Sequence, residues 1–122
     1  MTKLNKKNKM NKIKFIFNQK VQEINFETSE YTPNTTLLEF IRSKEKKKGT
    51  KEGCNEGDCG ACTVVIIELI DNKLMFYAVN SCVFLLPAVN GKQVLTVNDL
   101  ANEKLHQIQQ VFVEQHASQC GF

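Results

Sequence analysis

Four regularly spaced cysteines are the residues of this 122-residue chain best suited to chemistry. Gaps of four, two and nineteen residues separate Cys54, Cys59, Cys62 and Cys82. Thiolates in this order are the plant-type ligand set of a two-iron, two-sulfur cluster. The spacing predicts that three ligands lie on one short loop and that the fourth comes from a segment folded back beside it.

Three glycines lie among the loop cysteines: Gly53, Gly57 and Gly60. Glycine enters positive φ at low cost and lets the backbone approach a ligand closely. We therefore expect a tight curl whose backbone amides point inward at sulfur, with Ala61 keeping the last gap small.

Other uses of the cysteines remain open at this point. A disulfide framework suits small secreted chains, but residues 1–12 do not resemble a signal peptide and the total of five cysteines is odd. Structural zinc is the stronger rival, since four thiolates bind it tetrahedrally, although zinc ribbons usually present two separate C-x-x-C knuckles. Unligated thiols are the third alternative.

Length and charge limit the other function classes. A chain with 42% hydrophobic residues and this length supports one ordinary domain with an appendage, and no apolar run is long enough to cross a membrane. Residues 1–12 hold five lysines and no acid, within a net charge of +3. We expect a disordered basic tail there, no nucleic-acid partner because no recognition motif is present, no membrane partner, and a cytoplasmic location.

Apolar periodicity predicts the elements in front of the loop. Alternating apolar residues indicate a strand over residues 13–17 that returns as a second strand over residues 21–26. Thr36 and Glu39 have the spacing of a capping box, at the start of a helix that ends near Lys44.

The elements behind the loop complete a small sheet. Residues 63–70 are almost wholly apolar and β-branched, which predicts a central strand covered on both faces. Asp71 and Asn72 form a turn, residues 74–79 pair back as a hairpin, and residues 94–96 form a later strand. Early strands, a crossing helix and later strands in one mixed sheet predict an α+β fold, the β-grasp of plant-type ferredoxins, over residues 13–98.

Three segments carry a specific resemblance. They are T-K-E-G-C-N-E-G-D-C-G-A-C-T-V-V at 50–65, N-S-C at 80–82 and F-V-E-Q-H-A-S-Q-C-G-F at 112–122. Together they resemble the iron–sulfur part of molybdenum hydroxylases. Within that group, F-L-L-P-A-V-N-G-K at 84–92 is similar to the small subunit of bacterial xanthine dehydrogenases. The resemblance covers about residues 13–122.

The resemblance implies a second cluster whose ligands this sequence lacks. The family's second cluster lies in a helical domain that opens with C-G-F-C. Here Cys120 would be the first ligand, and its three partners are absent from the sequence. Residues 99–122 would then be the first helix of an incomplete [2Fe-2S]-binding domain, and the simplest expectation is a fragment. His106 is expected to start that helix rather than to bind a metal.

The resemblance also implies a function. One [2Fe-2S] cluster would pass single electrons from the molybdenum side towards FAD, and FAD, molybdopterin and the second cluster would belong to the intact complex. The implied partners are a molybdenum-binding large subunit and an FAD domain, and the chain alone would hold no catalytic residue. The alternatives are an autonomous ferredoxin-like carrier, a subunit of an aldehyde or carbon monoxide type hydroxylase, and a zinc-stabilised interaction domain.

Overall fold

The computed structural model describes residues 11–44, 49–100 and 106–115, and these ranges form a mixed sheet of five strands. The strands are β1 (Lys12–Phe17), β2 (Lys20–Asn25), β3 (Thr63–Ile70), β4 (Lys73–Asn80) and β5 (Gln93–Leu95). Their order in the sheet is β2-β1-β5-β3-β4. β1 and β5 run parallel, and the other neighbours are antiparallel. This is the expected β-grasp arrangement.

The helices are α1 (Leu37–Lys44) and α2 (Gln107–Glu114). Three short 3-10 helices occupy Ser81–Val83, Leu86–Val89 and Val97–Leu100. Lys12, assigned above to the basic tail, is instead the first residue of β1, because it pairs with Asn25. Residues 1–10, and with them most of that tail, lie outside the described ranges.

Both hairpins of the sheet close through two-residue turns. Asn18 and Gln19 join β1 to β2, and Asp71 and Asn72 join β3 to β4; all four residues have positive φ, between 51° and 62°. Tight hairpin turns need that conformation because their twist matches the twist of the strands. The predicted turn at Asp71 and Asn72 is confirmed, and β2 begins at Lys20, one residue before its predicted range.

The capping box predicted for α1 is present. The backbone N–H of Thr36 donates to Glu39 Oε2 at 2.8 Å, and the N–H of Glu39 donates to Thr36 Oγ1 at 3.1 Å. Two amides that the first helical turn leaves unpaired are satisfied in this way. The box fixes the first residue of the helix that lies over the sheet.

The core lies between α1 and one face of the sheet. Phe40 of α1 is fully buried, and its ring meets three others edge-on: Phe15 at 5.3 Å, Phe17 at 5.4 Å and Tyr31 at 5.3 Å between centroids. Edge-to-face contacts of this kind add to the free energy of burial. Phe40 therefore anchors the helix to β1.

The expectation that β3 is covered on both faces is wrong. Val64 and Ile66 are buried under α1, but on the opposite face Val65 and Ile67 are only partly buried and Leu69 is 64% exposed. β3 lies between two other strands, yet the described residues cover only one face of it. An unbroken β-branched run shows no alternation, so its sequence could not reveal which face would be solvated.

The other face of the sheet carries an apolar surface that we call the open face. Val21, Ile16, Gln93, Ile67 and Phe76 form one row across all five strands. Leu69 and Leu74 pair two residues further along. The large apolar side chains of the open face that are exposed are Ile16, Val21, Leu69, Leu74 and Phe76.

His106 begins α2, as predicted. Its Nδ1 accepts a hydrogen bond from the N–H of Ile108 at 3.2 Å, while its own N–H donates to Gln109 Oε1 at 2.9 Å. Gln109 Nε2 donates to the carbonyl of Val97 at 2.7 Å and ties the helix to the domain. The apolar side chains of α2 are exposed: Ile108, Val111, Phe112 and Val113.

Candidate metal centre

The β3–β4 hairpin brings the four cysteines of the predicted site into one region. Cys62 directly precedes β3, and Thr63, the first residue of that strand, pairs with Asn80 at the end of β4. Cys82 follows in the short helix Ser81–Val83, beside Cys62. The predicted return of a distant segment to the loop is therefore confirmed, and the hairpin register accounts for it.

The loop presents its backbone amides to sulfur. Cys54 Sγ accepts hydrogen bonds from the N–H groups of Cys59 at 3.2 Å, Asp58 at 3.3 Å and Glu56 at 3.4 Å. Cys59 Sγ accepts one from the N–H of Ala61 at 3.4 Å. Amides directed at a thiolate stabilise its charge, as they would stabilise charge on a metal cluster bound there.

The pKa values of the Cys54 and Cys82 thiols are shifted in opposite directions. Backbone N–H groups, first that of Cys59 and then those of Glu56 and Asp58, lower the pKa of the Cys54 thiol to about 7. Burial, followed by the neighbouring Cys62 thiol, raises the pKa of the Cys82 thiol. Near neutral pH a larger share of Cys54 than of Cys82 is therefore thiolate, which is the form that binds metal.

The three loop glycines have two different functions. Gly57 and Gly60 adopt positive φ, at 77° and 73°, as expected for a tight curl. Gly53 is needed for space, because an added Cβ would lie 2.7 Å from Cys59 Sγ. Asn55 also has positive φ, 56°, a conformation that asparagine tolerates better than most residues; the cysteine and glycine spacing does not predict it.

The four thiols lie close enough to affect one another. Cys59 helps to lower the pKa of Cys54, and both Cys62 and Cys54 help to raise the pKa of Cys82. All four are free thiols rather than disulfides. In the described ranges no three His, Cys, Asp or Glu side chains are grouped so as to hold one metal ion. A two-iron cluster shares its four cysteines between two irons, so four free thiols with inward amides fit it.

Three further side chains hold the segment around Cys82 against the cysteine loop. None of them was a predicted site residue. Asn80 Nδ2 donates to the carbonyl of Gly57 at 2.9 Å. Ser81 is fully buried, and its Oγ donates to the carbonyl of Cys62 at 2.7 Å. Leu38 of α1 packs with Cys62 and Cys82 in a small buried cluster. Asn80 and Ser81 belong to the N-S-C tripeptide noted in the sequence, but that motif does not predict which groups they contact.

Comparison with known families agrees with this geometry. Residues 19–86, more than half of the chain, match the family described as the 2Fe-2S iron–sulfur cluster binding domain. The chain belongs to this family. The cofactor of such a 2Fe-2S domain is a [2Fe-2S] cluster, which confirms the cofactor predicted from the cysteine spacing.

The relatives of this 2Fe-2S domain are molybdenum hydroxylases, as the resemblance predicted. The chain is 40% identical to xanthine dehydrogenase/oxidase of Rattus norvegicus over 111 residues, which are 88% of this chain and 8% of that protein. It is 45% identical to xanthine dehydrogenase of Blastobotrys adeninivorans over 93 residues, 74% of this chain and 7% of that protein. Aldehyde oxidase 4 of Arabidopsis thaliana is 42% identical over 101 residues, 80% of this chain and 8% of that protein.

A solved structure is similar to the 2Fe-2S domain as well. Quinoline 2-oxidoreductase from Pseudomonas putida 86 superposes with a TM-score of 0.65 and 32% identity, covering 90% of this chain and 60% of that chain. By contrast, the chain spans less than a tenth of the length of the three sequence relatives named above.

Two predictions fall partly or wholly outside the described residues. Cys120, expected as the first ligand of an incomplete second cluster, lies beyond residue 115. The first helix of that incomplete domain, expected within residues 99–122, is described from Gln107 to Glu114. As to the membrane, none of the helices in the described ranges is both long and apolar enough to span one.

Proposed function

We propose that Cys54, Cys59, Cys62 and Cys82 hold the [2Fe-2S] cluster, and that this domain transfers single electrons within a xanthine dehydrogenase-like molybdenum hydroxylase. When bound, such a cluster takes up and releases one electron. The observation that carries the proposal is the set of three backbone N–H groups converging on Cys54 Sγ, in a site that holds three further free thiols. A thiol without a ligand role has no need of this arrangement.

Some groups around the thiols would stabilise an electron added to the cluster, and others would destabilise it. The N–H groups that point at Cys54 and Cys59 stabilise it. The carboxylates of Glu52, Glu56 and Asp58 are exposed around the loop and oppose it, although water screens them. Leu38 keeps water from Cys62 and Cys82.

Partner domains are part of the proposal. Electrons would come from the molybdenum-binding large subunit and leave towards an FAD domain, with FAD, molybdopterin and a second [2Fe-2S] cluster bound elsewhere in the complex. Contiguous exposed apolar surface marks interaction sites, and the described residues include two such surfaces: the open face and the exposed apolar side chains of α2. These surfaces favour a component of an assembly over an autonomous ferredoxin-like carrier.

We also propose a domain division and a location. Residues 13–98 would form the cluster domain and residues 99–122 would begin a helical domain, with Cys120 as the first ligand of a second cluster that needs further thiols. The exposed apolar side chains of α2 support this, because they need partners to cover them. The free thiols of the cluster site suit the reducing cytoplasm.

Anaerobic reconstitution with iron and sulfide tests the ligand assignment. We expect a red-brown protein with about two irons per chain and an EPR signal after one-electron reduction. Serine at any of the four proposed ligands should greatly reduce the iron content, whereas Cys120→Ser, the matched control, should leave it unchanged. A colourless protein with stoichiometric zinc, or equal iron in Cys59→Ser and the unaltered chain, would refute the assignment.

A further inference from the structure

One peptide group in the loop is hydrogen-bonded at both ends. The peptide bond between Gly57 and Asp58 has its carbonyl oxygen on Gly57 and its N–H on Asp58. The oxygen accepts from Asn80 Nδ2 at 2.9 Å, and the N–H donates to Cys54 Sγ at 3.3 Å. A relay therefore runs from the Asn80 amide through a single peptide plane to the sulfur of a proposed ligand.

We propose that Asn80 is a positioning residue that raises the reduction potential of the cluster through the peptide between Gly57 and Asp58. The inference rests on the proposed ligand role of Cys54. Chains of hydrogen bonds polarise one another, so the bond from Asn80 strengthens the N–H donor that faces Cys54. Hydrogen bonds to cluster sulfurs are one of the factors that set reduction potential, because they favour the more negative, reduced state.

Orientation adds to polarisation. The oxygen and the N–H of one peptide turn together, so a bond that holds the oxygen also holds the direction of the N–H. Gly57 has a φ of 77° and no side chain to resist rotation. Without Asn80 the plane could turn and carry the Asp58 N–H away from sulfur.

Asn80 is well placed to hold that plane. It ends β4, where its backbone pairs with Thr63, and its side chain is half-buried and does not cap the short helix that follows. It lies two residues before Cys82. The contact that the structure gives its amide nitrogen is the one to Gly57.

Ser81 provides a matched control, because it ties the same segment to the loop without touching a sulfur donor. Its Oγ donates to the carbonyl of Cys62 at 2.7 Å. The N–H of that peptide belongs to Thr63 and donates to the carbonyl of Gly60 at 3.1 Å. Removing the hydroxyl thus loosens the segment and leaves the N–H···S bonds in place.

The test is an EPR-monitored redox titration of the reconstituted full chain and its variants. We expect Asn80→Ala to lower the equilibrium constant for reduction by up to about tenfold, which is about 59 mV for a one-electron couple. Ser81→Ala should lower stability and leave the potential unchanged. An unshifted potential in Asn80→Ala, or an equal shift in Ser81→Ala, would overturn the inference.

Amide hydrogen exchange in the cluster-free chain decides the matter if Asn80→Ala does not hold iron. The Asp58 N–H should then exchange faster than in the unaltered chain, relative to the Cys59 N–H. Cys59 donates to the same sulfur through a peptide that Asn80 does not contact. Equal changes at both amides, or none, would overturn the inference. Failure of the unaltered chain to bind iron would instead reject the proposed function.

Discussion

Cys59 Sγ lies where a side chain on Gly53 would have to be. A Cβ added to Gly53 would be 2.7 Å from that sulfur and 3.6 Å from the Cβ of Cys59. The sulfur also accepts a hydrogen bond from the N–H of Ala61 at 3.4 Å. Gly53 is therefore required by the position of a proposed ligand and not by a positive φ of its own.

Replacing Gly53 should affect the metal centre directly. We expect Gly53→Ala to lose most of its iron after reconstitution, because the sulfur of Cys59 must move for the methyl group to fit. Gly91→Ala is the control: Gly91 has a φ of 74° and nothing within 4 Å of an added Cβ. It should lose roughly 1–2 kcal/mol of stability and retain its iron. Full iron content in Gly53→Ala would contradict this account.

The aromatic cluster under α1 should dominate stability. Phe40→Ala removes a fully buried ring with three edge-on partners, and we expect a loss of about 3–5 kcal/mol. Phe76, on the open face and 60% exposed, is the matched control, with an expected change within about 0.5 kcal/mol. Urea denaturation measures both variants. Similar losses would mean that the open face is covered in solution.

The rates at which Cys54 and Cys82 react with iodoacetamide should depend differently on pH. In the cluster-free chain, amide donors lower the pKa of Cys54 to about 7, while burial raises that of Cys82. A lowered pKa means that thiolate accumulates as pH rises through 7, so iodoacetamide labelling of Cys54 should reach half its maximal rate there. Cys82 should stay slow until well above its ordinary pKa. Mass spectrometry gives both profiles, and in urea they should merge; matching profiles in the folded chain would be inconsistent with the amide contacts.

Removal of iron should loosen the loop more than the sheet. Residues 53–62 form no helix or strand, and three of their N–H groups point at one sulfur. Metal binding therefore supplies much of the order of the loop. Chelation should lower the melting temperature and expose this loop to limited proteolysis, while amides of β3 stay protected. Identical melting curves with and without iron would show that the loop is ordered by the polypeptide alone.

Local signals in the sequence were enough to predict several elements. The alternation of Ile13, Phe15 and Phe17 identified the buried face of β1, since a strand repeats every two residues. The spacing of Thr36 and Glu39 identified the first turn of α1, because the capping box is a local contact.

Features that depend on distant parts of the chain could not be predicted in the same way. The parallel pairing of Ile16 with Gln93 joins β1 to β5 across most of the domain. The contacts of Asn80 with Gly57 and of Ser81 with Cys62 span 23 and 19 residues. Neither hydrogen bond is marked by a periodicity or a motif in the sequence, and both form only after the β3–β4 hairpin has formed.

Because Cys82 follows the β3–β4 hairpin in the sequence, it is synthesised last of the four cysteines of the site. A ribosome adding about 5–20 residues per second needs about 1–4 s to travel from Cys62 to Cys82, whereas a hairpin forms in roughly 1–10 μs. Translation, rather than folding, therefore sets the moment at which the fourth thiol arrives. Until then the three loop thiols lack the fourth, and they are open to reaction with oxidants and foreign metal ions.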